Sequence, residues 1–464
     1  MQTLEEQVRH DASSLYQFVS SITQHCDSRN PAAAYLSSSE RFFKYIIELG
    51  QATKAYVQNF PGGRTQPAQF LELRDDIAAL RGSWQFLHLF VKPALDSDTL
   101  HLPTSLIQAL MGRFREIPGY ADTDFVIYHT DFFNYLNVQL NVFKPIADET
   151  ATLVGGPKFP EKLALIGIPY SQSSSLFTNC LIPHEMGHHV FGDKALGAKF
   201  RPSVEKELHQ LFGTGLTTLD RSAITSILVR WVEELFCDLF AVRMVGFCYS
   251  FAFIELFDAS KALDEAGKLT RSAGMTDFDE YPPHLFRLRQ QVAILKKDKW
   301  WDELKQVDVH YVDLLEEVDS LNETDFTLSN FGAIDATKVK AAFLKVVPTI
   351  FLELDGVTAG LESGLGEWKQ VFPKIESYLE YGIVPSNLLE KPGELRFHTP
   401  SLIALLNSAY KFYVQLLDTL LNHIDGANVG DVACRSDWAT KVQTWTAKAI
   451  EDCNVLRAKT KGTP

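Results

Sequence analysis

The segment LIPHEMGHH sets His184 and His188 four residues apart, with Glu185 directly after the first histidine. On an α-helix such positions lie on one face about one turn apart, so both imidazoles can reach one metal ion. Neutral imidazole is a favoured zinc ligand. Glu185, to the side of that face, can take a proton from a zinc-bound water without being a ligand itself. His189 falls on a different face and is expected at the surface or behind the ligands, not on the metal.

A catalytic zinc ordinarily keeps three protein ligands and an open position for water. A third histidine six residues past the second is excluded, since that position is Lys194 and the glycine expected before it is Phe191. The segment DRSAITSILVRWVEELFCDLFAVRMVG offers Glu234, with Asp238 one turn on. As a helix capped by Asp220, it puts both acids on a stripe with Ile227, Trp231, Ala241 and Val245. Two carboxylates on an apolar face are costly unless a cation or hydrogen-bond donors meet them. Zinc would meet Glu234, and a ligating histidine donating its outer N–H would meet Asp238. In the competing reading the acids pair with Arg230 and Arg243. Glu233 is the rival ligand, but it lies on another face, and Cys237 stands where its second acid should be.

The elements that must position these residues follow from periodicity. The stripe Phe177, Leu181, His184, His188, Phe191 predicts a helix from near Ser173 with Gly192 as its stop. Pro183 would bend that helix, or else begin a shorter one. Helical spacing also marks ERFFKYIIELGQATKAYVQNF, QFLELRDDIAALRGSWQFLHLFV, LIALLNSAYKFYVQLLDTLLNHI and WATKVQTWTAKAIEDCNVL. Strand-like runs stand at 124–129 and 163–168. The second, ending at Pro169, is read as an edge strand able to pair with an extended substrate. The run 236–257 is long enough to span a bilayer. Asp238, Arg243 and Glu255 within it favour a buried core helix, so no membrane insertion is expected.

With H-E-x-x-H followed by E-x-x-x-D on a later helix, the sequence resembles the gluzincin class of zinc metallopeptidases. The resemblance gives one catalytic Zn2+ to His184, His188 and Glu234, the general base to Glu185, and the orientation of a histidine to Asp238. The segment EYPPHLFRLRQ is similar to the His-Pro-x-x-x-x-Arg segment of CAAX prenyl endopeptidases and their bacterial heat-shock relatives. Arg287 matches, whereas Tyr281 replaces the histidine and His284 is displaced by three residues. Tyr281 and His284 are the candidates for oxyanion donor, and Arg287 for orienting one of them or binding substrate. The implied fold is α+β, predominantly α: a zincin-like core with a small sheet, residues 151–295, between helical regions 1–150 and 296–464. The implied partner is a peptide or protein substrate.

Composition agrees with such a protein. The chain has 464 residues, 46% hydrophobic and 22% charged, which suits a large globular core. A formal net charge of −14 argues against nucleic acid and anionic membranes as partners. Six scattered cysteines and a polar start, MQTLEEQVRHDASSLYQF, read as reduced thiols in a cytoplasmic protein. Two rival functions stay open. One is a zinc hydrolase of a non-peptide substrate. The other is a non-catalytic helical binding or regulatory protein whose zinc site is vestigial, or structural and closed by Cys180 or Cys237.

Overall fold

The computed structural model describes residues 3–28, 37–59, 67–97, 104–130, 136–138, 140–169, 175–259, 282, 284–306, 334–389, 397–422 and 429–461. Among the described residues helices dominate, with strands confined to two small sheets. The chain forms two compact units, residues 1–104 with 122–174, and residues 105–121 with 175–464.

The first unit packs three long helices, α1 (Leu4–Asp27), α2 (Ser37–Gln58) and α3 (Pro67–Ser97), against a small sheet and a later helix, α5 (Leu140–Val154). Apolar residues three and four apart supply its core, including Val8, Leu15, Val19 and Ile22 on α1 and Leu73, Ile77, Leu80 and Trp84 on α3. Thr3 starts α1 with a reciprocal cap, its side chain accepting from the Glu6 N–H while Glu6 accepts from the Thr3 N–H. The strands are β1 (Asp124–Thr130), β2 (Leu136–Val138) and β3 (Leu163–Pro169), in the order β1-β3-β2. β3 runs parallel to β1 with Asp124 opposite Leu163, and antiparallel to β2 with Leu136 opposite Gly167.

β3 is therefore the central strand, not the edge expected from Pro169. All seven of its residues are buried, as befits a strand covered on both faces. The two units are not consecutive along the chain. Ala151, Phe159, Leu163 and Leu165 join the same core as α1, α2 and α3, so the first unit continues past residue 150 and holds the sheet. At the other expected boundary, aromatic pairs Trp231–Phe343 and Phe247–Trp368 stitch the later helices to the middle of the chain.

The second unit contains α4 (Thr104–Phe114) from its second residue, then α6 (Ile182–Asp193), α7 (Leu196–Phe212), α8 (Thr218–Val245), α9 (Cys248–Ala259) and α10 (His284–Lys297). It continues through the single turn α11 (Trp301–Leu304), α12 (Ala336–Val357), α13 (Leu365–Glu380), the two-residue strands β4 (Leu388–Leu389) and β5 (Phe397–His398), α14 (Leu402–Asn422) and α15 (Val429–Lys461). Its centre is α8, which packs against α6, α7, α10 and α12. Thr217, not Asp220, caps α8: its side chain accepts from the Asp220 N–H, and Asp220 sits in the first turn.

The apolar run from 236 to 254 is buried apart from the half-buried Arg243, as expected, but in two helices. Gly246 breaks it at φ +75°, a backbone conformation that L side chains rarely adopt. Asn407 on α14 fastens this corner by donating to the Val245 carbonyl and accepting from the Cys248 N–H. Among the described residues, no helix is long and apolar enough to cross a membrane.

Candidate metal centre

The first histidine helix is the shorter of the two alternatives. A 3-10 turn at Thr178–Leu181 leads into α6, and Pro183 falls in the first helical turn, where its missing N–H costs nothing. His184 and His188 then rise from one face of α6, and Glu234 comes from α8. Their ligand atoms lie within 4.8 Å of one another, the group among the described residues that could hold a metal ion. His184 Nε2 is 3.4 Å from Glu234 Oε2, and His188 Nε2 is 3.6 Å from Glu234 Oε1. Both histidines thus turn the same nitrogen inward.

The outward nitrogens are both met by carboxylates. His184 Nδ1 is 3.0 Å from Asp238 Oδ1, and His188 Nδ1 is 3.0 Å from Glu233 Oε1. Such partners fix ring orientation and tautomer, leaving Nε2 free to ligate. Glu233, considered from sequence only as a rival ligand, instead holds the second histidine from behind.

Asp238 has no exposed side-chain surface. Arg287 on α10 meets it with two hydrogen bonds, Nε to Oδ2 and Nη2 to Oδ1, both 2.7 Å. The same Nη2 lies 3.3 Å from Glu234 Oε2, and the guanidinium sits over the Phe253 ring. Tyr249 on α9 completes the group, its hydroxyl donating to Asp238 Oδ1 at 2.5 Å and lying 3.2 Å from His184 Nδ1. No periodic spacing ties Tyr249 to the motif, so sequence reasoning missed it. Arg243 pairs instead with Asp298 and Asp355, and Arg230 is exposed.

The electrostatics reflect four acids near one another, Glu185, Glu233, Glu234 and Asp238, of which Glu234 and Asp238 are paired with the buried Arg287. For His184, burial opposes protonation, but Asp238 and Glu234 outweigh it and push its pKa up to about 10. His188 is raised too, with burial opposed by Glu233, Glu234 and Glu185. Burial would raise Glu234, yet His184, His188 and Arg287 pull it down to about 2. Asp238 is likewise held below the ordinary carboxylate range, Arg287 and His184 overcoming its burial. With the histidines neutral this cluster is strongly anionic, which is the field a cation requires.

Glu185 is buried on α6, close enough for its charge to act on His188 and Cys237. The sequence's two candidate thiols do not join the cluster. Burial, then the charges of Glu233, Glu234, Glu185 and Asp238, push the Cys237 thiol well above its ordinary value, while the Cys180 thiol faces the Leu176 carbonyl. His189 is buried rather than at the surface, packed against the Phe114 and Tyr120 rings. Tyr281 lies outside the described residues, as does the side chain of His284. No family model, curated protein or solved structure matches the chain.

Proposed function

We propose that this chain is a zinc-dependent peptidase with His184, His188 and Glu234 as ligands and Glu185 as general base. The observation that carries the reading is the common direction of three donors, each imidazole presenting Nε2 to Glu234 while a carboxylate holds its Nδ1. The spacing adds support: the inward nitrogens lie 3.4 and 3.6 Å from Glu234, each from a different oxygen, and the three ligand atoms are within 4.8 Å of one another, close enough for one ion to reach all three side chains. Three ligands leave one position open, as a catalytic zinc requires.

Bound zinc would supply a water of lowered pKa and polarise a carbonyl. Glu185 accepts the proton of the attacking water and passes it to the leaving amine. Asp238 and Glu233 keep the two rings from turning, and Arg287 holds Asp238 as a carboxylate. The zincin-like character of the core, the peptide substrate and the oxyanion roles of Tyr281 and His284 belong to this proposal. The test is a casein or peptide digestion with and without chelator, beside Glu185→Gln. The variant should keep its metal and lose turnover about a hundredfold or more. Full activity in it would refute Glu185 as base.

A further inference from the structure

We propose that Tyr249 is a positioning residue of this centre: with Asp238 it keeps a ring proton of His184 on Nδ1 and so makes Nε2, the nitrogen that faces Glu234, the one left to ligate a metal. The inference rests on the zinc reading above and adds a residue to it.

A phenol has one proton to give and lone pairs to receive. Tyr249 stands 2.5 Å from Asp238 Oδ1, an ionised acceptor held by Arg287, so the phenol proton goes there. What remains for His184 Nδ1, at 3.2 Å, is a phenol oxygen that can only accept. Nδ1 therefore faces two acceptors, Asp238 Oδ1 at 3.0 Å and the Tyr249 oxygen. A bare nitrogen there would set lone pair against lone pairs in a buried site, so the proton stays on Nδ1. The two ring planes are within 3° of parallel, which brings the phenol oxygen toward the imidazole edge.

The hydroxyl also completes Asp238. Oδ1 receives Arg287 Nη2, the Tyr249 hydroxyl and His184 Nδ1, while Oδ2 receives Arg287 Nε. Oδ1 is thus met by three donors and Oδ2 by one, so the carboxylate is tied to three different side chains. Tyr249 reaches this place because the chain turns at Gly246, where Asn407 clamps Val245 and Cys248. His188 lacks such a frame: its partner Glu233 keeps 21% of its side-chain surface exposed. The geometry makes His184 the fixed ligand of the pair.

The experiment measures zinc affinity of the full chain by competition with a chromophoric chelator, wild type beside Tyr249→Phe. It also records nitrogen-15 histidine spectra of the zinc-loaded wild type. Tyr249→Phe should bind zinc about tenfold or more weakly, with unchanged helical circular dichroism. In the wild type, a slowly exchanging Nδ1 proton should lie close to the Tyr249 ring. Equal affinity in the variant overturns the proposal and leaves the zinc reading intact. A wild type that takes up no zinc overturns both. If the variant fails to fold, the wild-type spectrum decides: the Nδ1 proton beside Tyr249 supports the proposal, and Nε2 protons on both zinc-bound histidines overturn it.

Discussion

Gly187, between the two histidines of α6, lies so close to α8 that a Cβ built on it would stand 2.9 Å from the Cys237 Cα. Real Cβ atoms essentially never come that near backbone, so the absent side chain at Gly187 is what lets α8 carry Glu234 up to the imidazoles. Gly187→Ala should push the helices apart. Overpacking of this kind costs about 1–3 kcal/mol. Denaturant unfolding should show that loss, and a chelator competition should show weaker zinc binding. An unchanged affinity would mean that the close approach does not set the ligand distance.

Arg287 meets Asp238 with two nitrogens, beside the protonated His184 of the metal-free protein. Arg287→Met would leave that buried carboxylate with His184 alone as its counter-charge, and removing one partner of a buried pair typically costs about 3–5 kcal/mol. Equilibrium unfolding of the metal-free variant measures this directly. Arg287→Lys keeps the charge but not the two-pronged fit, and should fall between wild type and the methionine variant.

Zinc uptake should depend on pH with a definite sign. His184, raised to about 10 without metal, carries a proton at neutral pH, and His188 is also raised, while Glu234, lowered to about 2, is already ionised. A ligand nitrogen must lose its proton to bind. Apparent affinity should therefore rise with pH by about tenfold per unit for each proton displaced. Calorimetry in buffers of different ionisation enthalpy counts those protons. Affinity constant between pH 6 and 8 would contradict the assignment.

How much of this could be read beforehand follows from what each residue depends on. His184 and His188 are tied by helical spacing alone, and Glu234 and Asp238 by spacing plus the cost of burying acids, so the grouping of these four side chains was legible. Glu233 was not, because the helical wheel puts it on another face. Only the close crossing of α6 and α8 brings its side chain to His188. Tyr249 lies beyond a corner set by a residue far along the chain, Asn407, which no local pattern reveals. Most helices were legible from periodicity. The grouping into units was not, since it depends on where Phe159, Leu163 and Leu165 find their apolar partners. The sequence suggests Asp220 as the cap of α8, but its N–H points back at Thr217, which takes that place three residues earlier.

The central claim is that two imidazoles and one acid hold a single zinc ion. Elemental analysis of the purified full chain, wild type beside His184→Ala and Glu234→Ala, tests it most directly. The account predicts close to one zinc per wild-type chain and a large loss in both variants, with helical content retained. A wild-type protein that carries no metal after exposure to zinc, or variants that bind it as well as wild type, would contradict it.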